Sequence, residues 1–160
     1  MSTKRQEMQR IMRRYRDETG NAEVIMRDVA KYAAQRGWPL PPPVDPLDVL
    51  AKQFSQAARE EIRHDKKTGR PYRANHAIST KQGDEQLTLW IDIDAPTTTR
   101  KRMLISAGQR REQMVGDAVQ LTFDLDHWNE SHPAEEPIKI QLDFGPDVEW
   151  RKNGPEEKAG

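Results

Sequence analysis

The chain has 160 residues, 34% of them apolar and 32% charged, with no cysteine, so it can bury one modest core but cannot carry disulfides, thiolate metal sites or thiol nucleophiles. No window approaches the roughly eighteen apolar residues of a membrane span, and residues 1–6 lack a secretory apolar stretch, which points to a cytoplasmic protein without a membrane partner. Its 26 basic and 26 acidic residues cancel, yet residues 112–160 hold four basic and twelve acidic ones, a net of −8 that leaves +8 on residues 1–111.

In chain order, residues 4–17 place Met8, Ile11, Met12 and Tyr15 on one helical stripe, with Arg5, Arg10, Arg13, Arg14 and Arg16 on the other faces. Thr19-Gly20-Asn21 stops that helix, residues 23–26 read as a minor strand, and residues 28–36 resume helical spacing through Val29, Ala30 and Ala33 up to Gly37. The run from Trp38 to Pro43 holds four prolines and is a stiff extended connector. Asp45 and Pro46 open a third helix over residues 45–62, in which Leu47, Leu50, Ala51, Phe54, Ala57 and Ala58 form the expected buried stripe. After a turn at Thr68-Gly69-Arg70-Pro71, residues 72–79 and 86–93 read as a hairpin joined by residues 80–84, with Leu87, Leu89, Ile91 and Ile93 on one face. A long helix is expected over about residues 98–125, with a break near Gly108. Alternation of Ile138, Ile140, Leu142 and Phe144 with Lys139, Gln141 and Asp143 predicts a last strand ended by Gly145-Pro146, and residues 153–160 read as a disordered tail. Trp38 and Trp90 are candidate core anchors, while Trp128 and Trp150 are candidates to dock the last strand.

These elements predict an α+β chain: a basic module of helices and a β-hairpin at residues 1–94, a long helix with an acidic C-terminal segment at residues 95–152, and the tail. A phosphate meets the local potential within a Debye length rather than the net charge, so the charge split makes a polyanion partner the leading reading. The candidate contacts are Gln53, Gln56, Arg59, Arg63, Lys66, Lys67, Arg70 and Arg73 around the third helix and hairpin, joined by Asn75. A second set of candidate phosphate contacts, Arg100, Lys101 and Arg102, precedes the long helix, with Arg110 and Arg111 on it and no acidic residue from Ala95 through Arg111. The order helix, short strand, helix, helix, hairpin over residues 4–93 resembles the winged helix-turn-helix family. That resemblance implies DNA as partner, with residues 45–62 in the recognition-helix position and residues 79–86 as the wing. RNA is the related alternative. The connector over residues 37–44 is longer than that family's turn, the hairpin loop has only Lys81 against Asp84 and Glu85, and Asp45 and Asp48 occupy the helix end that usually reads bases.

Two other classes stay open. The long helix is a candidate homodimer surface through Met103, Ala107, Met114 and Ala118, which suits an interaction scaffold or a DNA-binding dimer alike. A metal-dependent nuclease would draw on Asp92 and Asp94, on Asp124, Asp126, His127 and His132, or on His64 and His76 as acid and base. None of these has recognised ligand spacing, and no phosphate loop, dinucleotide fingerprint or serine-nucleophile motif is present, so no cofactor is expected. Finally, the strings from Arg110 to Asp117 and from Asp126 to Asn129, with the 138–144 strand, are similar to a set of uncharacterised bacterial proteins, which implies a bacterial or mobile-element origin.

Overall fold

The computed structural model describes residues 1–154, which form five helices and two small antiparallel sheets of two strands each, an α+β architecture. No helix among the described residues is long and apolar enough to cross a membrane. The chain divides into two compact units, Met1–Lys52 and Gln53–Gly160.

In the first unit, helix α1 (Lys4–Thr19) begins at a capping box: the Thr3 hydroxyl accepts from the Gln6 amide and the Gln6 side chain accepts from the Thr3 amide. It ends at Gly20, whose φ of +71° lets its amide donate back to the Arg16 carbonyl. Helix α2 (Met26–Gln35) packs on α1 through an edge-to-face pair of Tyr15 and Tyr32, with ring centroids 5.2 Å apart. The Arg36 guanidinium lies 3.5 Å from the Tyr32 ring centre and also pairs with Glu18 at 3.1 Å. The minor strand expected at residues 23–26 does not form. Those residues have no neighbouring strand, and Met26 instead starts α2.

Helix α3 (Pro46–Glu60) starts in the first unit and ends in the second. Asp45 caps it, its carboxylate accepting from the Leu47 amide at 2.9 Å, as expected. The expected burial of its apolar stripe is not seen: Leu47, Leu50 and Phe54 are all exposed.

Past α3, the expected single strand over residues 72–79 is split in two. Strand β1 (Ile62–His64) pairs antiparallel with β2 (Pro71–Arg73), while β3 (Asn75–Gln82) pairs antiparallel with β4 (Glu85–Asp92). Ala74 is the joint between them. It is completely buried, its amide donates to the Glu61 carbonyl, and its carbonyl accepts from Ile93. The residue that belongs to neither strand thus ties both hairpins together. The β3–β4 turn is also tighter than expected. Gln82 pairs with Glu85, leaving Gly83 and Asp84, and Gly83 at φ +62° with no positive φ at Asp84 fits the two-residue turn that matches strand twist.

Helix α4 (Arg100–Ser131) runs without a break through Gly108 and Gly116. Thr99 caps it by accepting from the Arg102 amide. The two glycines each cost about 1 kcal/mol relative to alanine, too little to interrupt eight or so turns of hydrogen bonding. Its attachment to the hairpin is polar: Ser106 is buried against β3, and the Gln109 amide closes a pair of 2.9 Å bonds, donating to the Ser79 carbonyl and accepting from the Ser79 amide. Gln109 therefore takes the place of a neighbouring strand at the free edge of β3. Gln109→Ala should expose that edge, speed hydrogen exchange at the Ser79 amide and cost about 1 kcal/mol of stability.

The C-terminal region departs most from expectation. Residues 138–144 are not in a sheet, and Gly145-Pro146 opens helix α5 (Gly145–Asn153) instead of ending a strand, because proline suits the first helical turn. Asn153, expected in the tail, closes that helix, and residues 155–160 of the expected tail lie outside the described residues. Trp150 sits exposed on α5, and Trp128 stacks on His132 at 3.8 Å.

Candidate nucleic-acid interface

A cleft of about 340 Å³ opens in the second unit where α3, the β3–β4 hairpin and α4 meet. Arg59 enters from the last turn of α3, Arg73 from β2, His76 and Ser79 from β3, Thr88 and Trp90 from β4, and Gln109, Arg110 and Gln113 from α4. The local pattern accounts for this grouping. Ala77 pairs with Trp90 and Ser79 with Thr88 in the hairpin register, while Ser106, Gln109 and Gln113 recur at helical spacing along the α4 stripe that faces β3.

No carboxylate lines the cleft, and among the described residues none of Arg59, Arg73 and Arg110 forms an ion pair. The Arg59 guanidinium stands 5.4 Å from the centre of the Trp90 ring. The His76 Nε2 lies 3.0 Å from the Arg73 carbonyl and therefore carries the proton, which leaves Nδ1 as the ring's second polar atom. Asn75 is tied down by donating to the Ala58 carbonyl and to Glu61 at 2.7 Å.

The nearby acidic residues are occupied by a single cation. Arg63 holds Asp92 through both nitrogens, at 2.7 and 3.0 Å, and reaches Asp94 at 2.9 Å and Glu61 at 3.2 Å. Tyr72 donates to Asp94 at 2.8 Å. The Arg63 guanidinium holds the Asp92 and Asp94 carboxyls below the usual carboxylate range, helped by the Asp94 amide and the Tyr72 hydroxyl respectively. The negative charge of Asp94 in turn raises the pKa of Tyr72 through their hydrogen bond.

Arg63, expected as a phosphate contact, is here shared by three carboxylates, and these bonds fasten β1 and Glu61 to the end of β4. It also occupies the position between Asp92 and Asp94 that a metal would need, and among the described residues no group of three His, Asp or Glu side chains is arranged to hold one. Because the folded-state pKa values of Asp92 and Asp94 are depressed, the unfolded chain binds more protons than the folded one as pH falls through the carboxylate range. The stabilisation is thus fully present above that range and lost below it. Arg63→Met should lower the thermal midpoint at neutral pH, with the difference from the parent protein narrowing below about pH 4, as followed by circular dichroism.

The other sequence candidates are dispersed. Gln53 and Gln56 are exposed on α3, where Gln56 bonds Glu60. Lys66 and Lys67 lie not on a helix but in the β1–β2 turn, which Asp65 organises by accepting from the Lys67 and Thr68 amides. Arg70 donates to the Lys152 carbonyl of α5 at 3.2 Å. Arg100, Lys101 and Arg102 form the first turn of α4, where the helix dipole is positive and no acidic residue offsets them. His64 stands opposite Pro71 in the small sheet, and Asp124 accepts from Gln120 on α4. Of the residues singled out as nucleic-acid contacts, only Arg59 and Arg73 reach the cleft, together with Asn75 and Arg110. Ser79, Thr88, Trp90, Ser106, Gln109 and Gln113 were not visible as site residues. The one signal for them was the run of polar side chains at helical spacing on α4, where an apolar stripe is the norm.

No protein-family model matches the chain, and no curated protein or solved structure matches it.

Proposed function

We propose that the protein binds nucleic acid, duplex DNA before RNA, as a cytoplasmic regulatory or accessory factor of bacterial or mobile-element origin. The observation that carries this reading is the convergence of Arg59, Arg73 and Arg110, none with a carboxylate partner among the described residues, on a cleft lined by Trp90. Three guanidiniums around a polar cleft attract phosphate oxygens, because each offers paired N–H donors and each contact releases a counterion. Gln109, Gln113, Ser79 and Thr88 add neutral donors and acceptors that suit sugar and phosphate oxygens. The basic first turn of α4 extends the same positive field.

The winged helix-turn-helix resemblance forms part of the proposal. The order of α1, α2, α3 and then the β3–β4 hairpin supports it, while the additional β1–β2 hairpin and the long connector before α3 depart from that family. The test is fluorescence anisotropy of a labelled duplex titrated with the protein from low to physiological salt. Binding that weakens steeply with salt is expected, with single-stranded RNA as a poorer competitor than duplex DNA. Absence of binding at low salt overturns the proposal.

A second reading, an interaction domain that works as a homodimer, draws on the exposed apolar side chains of α4, among them Leu104, Met114, Val119 and Phe123.

A further inference from the structure

The segment over residues 138–144 has the sequence of a half-buried strand but, among the described residues, no regular secondary structure and no strand beside it, and Phe144 at its end already has helical φ and ψ as the N-cap of α5. It runs back along α4. Asn129 on that helix holds its start, donating to the Ile138 carbonyl at 2.9 Å and accepting from the Ile138 amide at 2.8 Å. Further on, Leu142 and Phe144 share an apolar cleft of about 390 Å³ with Met114, Val115, Ala118 and Val119 of α4. The segment covers this layer poorly: Ile138, Ile140, Leu142 and Phe144 each remain 42–50% exposed.

In a strand, successive residues turn their amide and carbonyl to opposite edges, so the Ile138–Asn129 bonds mark the edge next to the helix. Drawn as a strand, the segment carries the amides and carbonyls of Lys139, Gln141 and Asp143 on the edge away from Asn129, and among the described residues none of these, nor those of Ile140 and Leu142, has a backbone partner.

The order of side chains is self-complementary about Gln141. If the segment meets a second copy of itself antiparallel, Gln141 faces the partner's Gln141, Lys139 faces the partner's Asp143, Ile140 the partner's Leu142 and Ile138 the partner's Phe144. The opposite charges fall together twice, all apolar residues lie on the face toward α4, and the hydrogen-bonded positions are the three on the edge away from Asn129. An isologous two-fold contact requires this kind of palindromic match.

We infer that residues 138–144 pair antiparallel with the same segment of a second copy, about a two-fold axis at Gln141, making a two-stranded sheet over the exposed apolar faces of two α4 helices. The surface is separate from the basic cleft, so this inference stands or falls independently of nucleic-acid binding.

The experiment uses sedimentation of the full chain with charge reversals. The unaltered protein is expected to be a dimer. Lys139→Asp and Asp143→Lys should each weaken dimerisation on the order of tenfold or more by placing like charges opposite one another, and the double substitution should restore it. Because the chain has no cysteine, a single Gln141→Cys substitution provides a second readout: mild oxidation should yield a covalent dimer, whereas Lys139→Cys alone should yield none. A protein that stays monomeric at high concentration, a dimer indifferent to either reversal, a double variant that is not restored, or a failure of Gln141→Cys to cross-link would each overturn the pairing.

Discussion

Replacing Arg59, Arg73 and Arg110 together by alanine is expected to lower affinity for duplex DNA on the order of a thousandfold at low salt. The figure follows if each charge-assisted contact contributes about 1.5 kcal/mol net. The salt dependence is the sharper test. Each phosphate contact adds about 0.9 to the slope of log affinity against log salt, so the triple variant should lose about 2.7 of that slope, and each single variant about a third of it. The fold should be retained, since none of the three guanidiniums takes part in an ion pair among the described residues. Arg63→Ala is the instructive contrast. It removes a positive charge near the same cleft but should act on stability, because Arg63 serves Asp92, Asp94 and Glu61 rather than a ligand. A variant set in which only Arg63→Ala changes affinity would reverse the assignment made for these four arginines.

Ile78→Ala is expected to be the most damaging single truncation in the second unit. Ile78 is 2% exposed and is the largest fully buried side chain among the described residues, set in the middle of β3 opposite Leu89. Truncating a buried isoleucine costs about 3 kcal/mol, the lost transfer free energy plus the cavity left behind. For a unit of this size that corresponds to roughly 10–20 °C in the thermal midpoint. Leu89→Ala, at a position 38% exposed, should cost about 1 kcal/mol or less. Thermal unfolding followed by circular dichroism separates the two outcomes. Equal losses would mean that the core lies elsewhere than at the Ile78 and Ala74 joint.

These expectations rest on elements of unequal legibility. Helices α1, α3 and α4 were readable because their signals are local: the apolar stripe of α1 with its stop at Gly20, the Asp45-Pro46 start of α3, and the apolar spacing of α4, although the break expected at Gly108 does not form. The β3–β4 hairpin was readable because alternation is a local signal as well, although its turn is Gly83-Asp84 rather than the expected residues 80–84. The β1–β2 hairpin was not. Its strands are three residues long, and their pairing depends on Ala74 joining Glu61 to Ile93 across a distance in sequence that no periodicity reports. The 138–144 segment shows the converse: its alternation is a local strand signal, but a strand also needs a neighbour, and none is present among the described residues.

The basic character of the region and the cleft's three arginines, Arg59, Arg73 and Arg110, followed from composition and position alone. Which cations are free did not. Charge in a sequence is a count, whereas availability depends on whether a carboxylate lies within hydrogen-bond reach, and only the folded chain brings Asp92 and Asp94 onto Arg63 from about thirty residues away. The sequence by itself determined the α+β class, the presence of α1, α3 and α4, the β3–β4 hairpin and the charge split. The tertiary structure decided where the β2–β3 break falls, which arginine is structural, and which polar side chains of α4 meet the hairpin. Those outcomes turn on contacts between distant residues, and local propensity carries no information about them.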